Sequence, residues 1–196
     1  MPKLKIYKFP DAVLKEKAAP VSRVEKDFYR LADDMLETMY EAPGIGLAAN
    51  QVGILKQIIV IDTEYDIDEE SVKESGVFPE GTEEGAKKST GIIRNKDPKI
   101  LLNPKITYRE GKILYCEGCL SVPEYTAEVE RSEKIKIEYL DITGLTKTLT
   151  AEGLMAVCLQ HELDHLNGKL FIDRLSPLKS EMVKKKLVKA RAEEEE

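Results

Sequence analysis

Residues 151–168 read AEGLMAVCLQHELDHLNG, and this stretch predicts a helix that is buried on most of its sides. Its apolar residues surround much of the helix instead of forming one stripe, which is the pattern of a helix inside a protein core. Asn167 and Gly168 are typical residues for the end of such a helix. We therefore expect a buried helix over residues 151–166, with the apolar positions Leu154, Met155, Val157, Cys158, Leu159, Leu163 and Leu166.

Two further helices are expected, one on each side of this segment. Ser22 and Glu25 match a capping box, and the apolar residues that follow recur at helical spacing, so one helix is expected over residues 23–41. The other is expected over residues 176–192, where basic residues are concentrated. These basic residues are Lys179, Lys184, Lys185, Lys186, Lys189 and Arg191, and the apolar residues expected to dock the helix are Leu178, Met182 and Leu187.

Several short segments have the composition of β-strands. Residues 58–61 form a β-branched run that is typical of a buried strand, and residues 134–139 alternate between polar and apolar side chains as a half-buried strand does. Further strands are expected at 100–102, 112–115 and 145–149, the last after a hairpin turn over 141–144. Because strands and helices do not alternate regularly along the chain, the sequence favours an α+β fold.

Length and composition indicate one globular domain over residues 1–196, with 42% apolar and 34% charged residues. An acidic segment interrupts the pattern of strands. Residues 64–84 carry nine acidic residues and one lysine, so we expect residues 64–99 to form an exposed insertion. Residues 193–196 are all glutamate and form an acidic tail.

Charge and hydropathy argue against two classes of function. The 30 basic and 36 acidic residues give a net charge of −6, which does not favour a general affinity for nucleic acid. No run approaches the roughly 18 apolar residues of a membrane-spanning helix, and residues 1–10 lack the apolar region of a signal peptide. We therefore expect a cytoplasmic protein with no membrane partner. Its three cysteines, Cys116, Cys119 and Cys158, are expected to be thiols or metal ligands.

The residues that carry chemistry are concentrated at positions 161–165, which read HELDH. Because His161 and His165 are four residues apart, both imidazoles lie on one face of the helix and can bind the same metal ion. Glu162 lies beside them, where it can accept a proton from water. Ordinary polar residues are the alternative interpretation. The predicted burial disfavours it, because polar groups on a buried helix need partners and a metal supplies them.

The third ligand distinguishes between kinds of metal site. Phe171 occupies the place of a third histidine six residues after the second, and Glu181 lies on a helix that we expect to be exposed. Cys119 follows a predicted strand in a glycine-containing turn, and two histidines with one cysteine leave a fourth position open for water. A closed Cys₂His₂ site that also uses Cys116 is the alternative. It is disfavoured because Cys119 and His161 are 42 positions apart, against about 12 to 15 residues in a zinc finger.

Three blocks of the sequence resemble, in the same order, the three signature motifs of the peptide deformylase family. They are GIGLAANQVG at residues 44–53, EGCLS at 117–121 and QHELDH at 160–165, and the resemblance extends over most of positions 4–190. It implies a hydrolase that removes the formyl group from the N-terminal formylmethionine of nascent polypeptides and releases formate. It also implies antiparallel sheets around a central buried helix that carries the H-E-x-x-H motif, with a C-terminal helix.

The resemblance assigns a metal and a general base. Cys119, His161 and His165 would bind one ion per chain, commonly Fe²⁺, with Zn²⁺ or another divalent metal as a substitute. Glu162 would be the general acid and base. Two alternatives stay open: an H-E-x-x-H metallopeptidase with a different third ligand, and a structural metal-binding protein.

The resemblance also assigns residues to the substrate. Gln51 and the backbone N–H of Leu120 would stabilise the oxyanion, and Gly46 would pair with the extended substrate backbone. Thr126 is a departure, because many bacterial members carry arginine there, so any substrate contact made by that arginine is lost or moved. The remaining residues expected around the methionine side chain are Ile45, Tyr115, Leu154, Val157 and Cys158.

One macromolecular partner is implied beyond the nascent chain. Family members of the short bacterial form use a C-terminal helix to contact the ribosome, and phosphate-rich RNA would attract a basic helix such as residues 176–192. A solvated helix face is the alternative interpretation of such a charge run, and the acidic tail at 193–196 would oppose docking. We expect the protein to be a monomer.

Overall fold

The computed structural model describes residues 4–67, 93–94 and 96–194. This part of the chain contains three α-helices: α1 at Lys26–Glu41, α2 at Gly153–Leu166 and α3 at Pro177–Glu194. The bounds of α2 and α3 agree with the sequence prediction to within two residues. A search of the described helices finds no segment with the length and hydropathy needed to cross a bilayer. Most of the predicted acidic insertion, and the end of the predicted acidic tail, lie outside the described residues.

Helix α1 begins three residues later than the sequence predicts. Glu25 is its N-cap residue and makes no capping hydrogen bond with its side chain, so the predicted capping box with Ser22 does not form. Just upstream, Asn103 holds the backbone of Val21 from both sides. The Val21 N–H donates to Asn103 Oδ1 at 2.7 Å, and Asn103 Nδ2 donates to the Val21 carbonyl at 2.8 Å. This tether fixes the chain one residue before Ser22.

The strands form one five-stranded sheet and two hairpin-like pairs. In the described residues the strands are β1 (Gly46–Ala48), β2 (Ile58–Ile61), β3 (Asp66–Ile67), β4 (Ile93–Arg94), β5 (Lys99–Glu110), β6 (Ile113–Cys119), β7 (Val122–Arg131), β8 (Lys134–Leu140) and β9 (Thr146–Glu152). The main sheet has the order β1-β2-β5-β8-β9, whereas β3 pairs with β4 and β6 pairs with β7. Each of these neighbouring pairs is antiparallel.

Strand β2 coincides with the predicted strand at 58–61, but β7 was not predicted. Pro123 stands near the start of β7, and proline is rare inside strands, which obscures the pattern. Farther along the strand, buried residues alternate with exposed ones, as the pleat of a half-buried strand requires. The inward residues are Ala127, Val129 and Arg131.

Helix α2 packs across the main sheet and is buried as predicted. The apolar core that it shares with the sheet includes Ala156, Leu159, Leu166, Ile59, Leu101, Ile135 and Ile137. Burial of this apolar area is the main source of stability for the arrangement. Antiparallel sheets, a central helix and a C-terminal helix confirm the predicted α+β fold class.

Helix α3 docks through a face that the sequence analysis assigned incorrectly. Leu178 and Met182 are 74% and 64% exposed, so the prediction that they dock the helix is wrong. The buried face instead carries Ser180 and Val183, with Leu187 half-buried one turn farther on. These three positions are three and four residues apart and therefore share one side of the helix, away from Leu178 and Met182.

Candidate active site

Helix α2 and the β6–β7 hairpin bring three metal-ligand atoms together. His161 and His165 are about one turn apart on α2, and their Nε2 atoms are 3.2 Å apart. Cys119 ends β6, and its Sγ lies 3.2 Å from Nε2 of His165. All three ligand atoms lie within 4.8 Å of one another.

A tight turn fixes the position of Cys119. Cys119 pairs with Val122 across the β6–β7 hairpin, with Leu120 and Ser121 between them. The Ser121 N–H donates to Cys119 Sγ at 3.4 Å, and Nε2 of Gln51 donates to the same sulfur at 3.7 Å. The sulfur is therefore held toward α2 before any ion binds.

The donor set fits a divalent transition metal. Nδ1 of His161 lies 2.8 Å from Oε2 of Glu117, so we assign the ring proton to Nδ1. The lone pair of Nε2, on the side of His165, is then available to a metal ion. Two imidazole nitrogens and one thiolate are a ligand set of catalytic sites that keep one coordination position open. Such softer N and S donors suit iron and zinc better than calcium or magnesium.

A buried chain of charges continues behind His161. Arg131 donates two hydrogen bonds to Glu117, from Nε to Oε1 at 2.6 Å and from Nη2 to Oε2 at 2.8 Å. Its remaining Nη1 donates to Asp164 at 2.6 Å, and Arg174 binds the same carboxylate through Nη2 at 2.6 Å. Burial alone would raise the pKa of Glu117, but its bonds to Arg131 and His161 bring the pKa below its usual value. Glu117 therefore stays ionised and orients the ring of His161.

This supporting chain was only partly visible in the sequence. A metal was the expected partner for polar groups on this buried helix, but Asp164 binds the two arginines instead. The structural role of Glu117 and of Arg131 was missed. The signal for Arg131 was its inward position on β7, two residues after buried Val129, where a charge requires a buried partner.

Glu162 lies on the same turn of α2 with its carboxylate buried. Burial raises its pKa to about 7, and its Oε2 has no hydrogen-bond partner among the described residues. Gly46 packs closely against this carboxylate, since a Cβ on Gly46 would lie 2.7 Å from Glu162 Oε1 and 2.7 Å from Cys158 Sγ. Only glycine at position 46 lets the β1 backbone approach Glu162 this closely.

A cavity of about 730 Å³ opens onto these groups. Cys119, His161 and Glu162 line it, so two metal ligands and the general-base candidate face the same space. A cavity of this size falls within the usual range for small-molecule and peptide sites. Its walls include all six residues that the sequence assigned to the substrate, namely Ile45, Gly46, Tyr115, Leu154, Val157 and Cys158.

Gln51 and Leu120 also line the cavity. Oε1 of Gln51 accepts the Ala48 N–H at 2.9 Å, which orients the opposite end of the amide as a donor. That Nε2 donates to Ser121 Oγ at 3.1 Å beside Cys119. The amide of Gln51 is therefore fixed, with its N–H groups on the side of the metal-ligand cluster.

The residues of the alternative metal sites lie elsewhere. Cys116 is exposed and does not belong to the cluster of metal-ligand atoms found in the described residues. Glu181 is exposed on α3. Cys158 is buried, as expected of a small packed side chain, and its thiol lies 3.7 Å from the Ile45 carbonyl at the cavity wall.

Comparisons with known sequences agree on one family. A family model described as Polypeptide deformylase matches residues 3–181. The chain is 46% identical over 192 residues to "Peptide deformylase 2" of Xanthomonas campestris pv. campestris, covering 96% of each chain. It is 47% identical over 182 residues to "Peptide deformylase" of Rhizobium meliloti, covering 92% of this chain and 90% of that protein.

Comparisons with solved structures point the same way. A peptide deformylase from Legionella pneumophila superposes with a TM-score of 0.78 at 37% identity, covering 98% of each chain. A peptide deformylase from Synechococcus elongatus, solved in complex with actinonin, superposes with a TM-score of 0.73 at 39% identity, covering 95% of this chain and 86% of that one.

Proposed function

This chain belongs to the polypeptide deformylase family of hydrolases, and we propose that it removes the N-formyl group of newly made polypeptides in the cavity beside Glu162. The substrate is an N-formylmethionyl polypeptide and the products are formate and a free amino terminus. The observation that carries this proposal is the convergence of Cys119, His161 and His165 next to a cavity lined by Cys119, His161 and Glu162, whose buried Oε2 has no hydrogen-bond partner in the described part of the chain.

Cys119, His161 and His165 would hold one ion per chain. We propose Fe²⁺ as the working ion, as the family resemblance implies, with Zn²⁺ or another divalent metal as a substitute. A thiolate and two imidazoles suit both iron and zinc. When bound, the ion supplies a Lewis acid that makes water nucleophilic near neutral pH. Glu117 and Arg131 keep the His161 ring in the orientation that ligation requires.

Glu162 transfers the proton of the attacking water during hydrolysis. Its carboxylate takes a proton from the attacking water and then delivers it to the leaving amine, so one group serves as base and acid. The geometry supports this role, because Glu162 adjoins His161 on α2, faces the cavity, and keeps Oε2 unpaired among the described residues.

Gln51 and Leu120 stabilise the charge that develops on the formyl oxygen. The fixed N–H donors of Gln51 lie beside Cys119, and the Leu120 backbone N–H belongs to the turn that follows this ligand. Preorganised donors of this kind typically contribute about 2.7–4 kcal/mol each to the transition state.

The cavity wall accounts for the methionine specificity. Leu154 and Val157 are three residues apart on α2 and present apolar surface to the cavity, with Cys158 beside them. Ile45 and Tyr115 complete the apolar surround. The backbone at Gly46, which reaches the Glu162 carboxylate, would pair with the extended substrate chain.

We also propose that α3 docks the enzyme on the ribosome. Its exposed face combines Lys179, Lys185 and Lys186 with Leu178 and Met182, so positive charge and apolar side chains share one surface. Ribosomal RNA presents phosphates that attract such a face. Docking there would bring the enzyme to its substrate in the cytoplasm. We propose that the protein acts as a monomer, because one chain carries all three residues of the proposed ligand set.

The test of the proposed function is formate release from a formyl-Met-Ala-Ser peptide by anaerobically purified protein. We expect formate and free methionyl peptide in equal amounts, with the internal peptide bonds intact. Cleavage of an internal bond without formate would indicate a metallopeptidase. No turnover by protein that holds one ion per chain would indicate a structural metal site. Either result would refute the proposal.

A further inference from the structure

Three side chains lie behind the part of the cavity wall formed by Gly44 and Ile45. We call Tyr40, Asp62 and Tyr65 the tyrosine cluster. The Tyr65 hydroxyl donates to the Gly44 carbonyl at 3.1 Å, and the Asp62 N–H donates to the Ile45 carbonyl at 2.9 Å. Two consecutive carbonyls of the cavity wall are therefore bound from the side of this cluster.

The tyrosine cluster is internally rigid. The Tyr40 and Tyr65 rings meet edge to face, with centroids 5.1 Å apart and planes at 87°, a favourable geometry for an aromatic pair. The Tyr40 hydroxyl donates to Asp62 Oδ2 at 2.6 Å, and Asp62 is fully buried. The Asp62 carboxylate also accepts the Glu64 N–H at 3.1 Å and the Asp97 N–H at 2.9 Å. The backbone near each end of the predicted insertion at 64–99 is thus tied to the Asp62 carboxylate.

The wall that the cluster holds has little room to move on its other side. A Cβ on Gly44 would lie 2.8 Å from Leu120 Cδ1, and one on Gly46 would lie 2.7 Å from Glu162 Oε1. The Gly44 N–H is bound to the Met39 carbonyl at 2.9 Å at the end of α1. The segment 44–46 is therefore clamped between the cluster and the catalytic groups.

The bond to Gly44 sets the direction of a neighbouring donor. A trans peptide unit is planar, so its carbonyl and the next N–H point in opposite directions. Holding the Gly44 carbonyl toward Tyr65 therefore turns the Ile45 N–H away from Tyr65. Burial and the neighbouring Asp62 carboxylate raise the pKa of Tyr65, so its hydroxyl stays protonated and remains a donor at neutral pH.

We propose that Tyr65 is a positioning residue for substrate binding, which acts by fixing the Gly44–Ile45 peptide unit and thereby the adjoining backbone of Gly46, with which the extended substrate chain would pair. This inference rests on the proposed function. Tyr65 belongs neither to the cluster of metal-ligand atoms nor to the lining of the cavity found in the described residues. Its loss should therefore weaken substrate binding and leave the chemical step intact.

The experiment compares wild type with Tyr65→Phe, which keeps the ring packed on Tyr40 and removes only the hydroxyl. With formyl-Met-Ala-Ser as substrate, we expect KM to rise about three- to tenfold, the range for one lost hydrogen bond. The values of kcat and the metal content should stay within about twofold of wild type. Tyr108→Phe is the matched control, because the Tyr108 hydroxyl binds Glu110 on the exposed sheet surface at 3.1 Å, and its KM should not change.

Amide hydrogen exchange gives a second measurement that does not need activity. Fragments covering residues 43–46 should exchange faster in Tyr65→Phe, whereas fragments of α2 should not change. An unchanged KM, or a fall in kcat and metal content together, would overturn the inference. A wild-type protein without deformylase activity would refute the proposed function, and the exchange comparison would still decide whether Tyr65 restrains the segment.

Discussion

Arg131 is the residue on which the support of the candidate metal site depends. Its side chain is 1% exposed, and its guanidinium bonds to Glu117 and Asp164 at once. Glu117 in turn binds Nδ1 of His161. A charge placed on β7 therefore fixes the orientation of a metal ligand on α2, which is how residues outside the ligand set contribute to affinity for the ion.

We expect Arg131→Met to be strongly destabilising, because it leaves the buried Glu117 carboxylate without its guanidinium partner and removes one of the two arginines that bind Asp164. The free energy of unfolding should fall by about 3–5 kcal/mol, measured by urea denaturation of the metal-loaded protein. Lys112→Met is the control, since the ion pair of Lys112 with Glu130 lies on the surface and its loss should cost less than about 1 kcal/mol. Equal effects of the two substitutions would contradict this account of Arg131.

The two cysteines of β6 should differ in metal binding. Cys119→Ala should lose the ion, whereas Cys116→Ala should keep it, because Cys116 is exposed and lies outside the cluster of ligand atoms. Metal content per chain after anaerobic purification and dialysis measures this directly. Loss of the ion in Cys116→Ala, with retention in Cys119→Ala, would show that the ligand assignment is wrong.

Residue spacing explains which parts of the site were predictable. His161, Glu162 and His165 are brought together by helix geometry alone, so five consecutive residues sufficed to predict them. The contact of Glu117 with Arg131 depends on the register of a hairpin, and the contact of Arg131 with Asp164 spans 33 positions. No local pattern encodes such contacts, and they required the structure.

At the scale of elements, α3 attaches to the body by one face and leaves the other exposed. Val183 packs in the cluster that contains Phe171 and Leu14, so the helix completes a core as well as offering a surface. On the opposite face, Lys179, Lys185 and Lys186 are exposed. Truncation before α3 would therefore confuse loss of a ribosome contact with loss of core packing.

Charge reversal tests the ribosome contact without removing the helix. We expect the triple substitution Lys179→Glu, Lys185→Glu and Lys186→Glu to abolish salt-sensitive co-sedimentation with ribosomes, because RNA phosphates would repel the new charges. Hydrolysis of formyl-Met-Ala-Ser should stay within about twofold of wild type, since α3 contributes no residue to the lining of the catalytic cavity.

A second triple substitution separates a local contact from a general change in charge. Lys105, Lys136 and Lys169 are exposed elsewhere on the described surface, and replacing them with glutamate changes the net charge equally. This variant should still co-sediment. Loss of co-sedimentation in both variants, or in neither, would refute docking through α3.

Elements were predicted well where their signals were local. The β-branched run of β2 and the apolar surround of α2 gave correct strands and helices, with small errors at the ends. The predicted start of α1 was wrong by three residues, because Glu25 and not Ser22 is the N-cap residue, and the capping box suggested by their spacing does not form. The predicted docking face of α3 was wrong because Leu178 and Met182 are apolar, as core residues are, but lie exposed on the opposite side of the helix.

At the scale of the whole molecule, the cavity is assembled from three distant parts of the chain. Segment 44–51, the β6–β7 turn and α2 each contribute side chains or backbone to it. The resemblance of the three sequence motifs to those of peptide deformylases implied that these parts share one site. The antiparallel pairing of β1 with β2 holds segment 44–51 next to α2, and the pairing of β6 with β7 holds the β6–β7 turn there.

The choice of ion should be visible in how the enzyme behaves in air. Protein loaded with Fe²⁺ under anaerobic conditions should lose activity on exposure to air, because both Fe²⁺ and the Cys119 thiolate are oxidisable. Protein loaded with Zn²⁺ should be stable but slower. We would measure formate release at equal metal content before and after aeration. Equal rates that air does not affect would remove the preference for iron.

The most direct test of the central claim is formate release by Glu162→Gln, with the metal content of the same samples. Glutamine keeps the shape of the side chain but cannot take up the proton. We predict one ion per chain in both proteins and a kcat reduced by about 10²- to 10⁴-fold in the variant, the usual contribution of a general acid and base. A metal-loaded Glu162→Gln protein with near wild-type kcat would contradict the account.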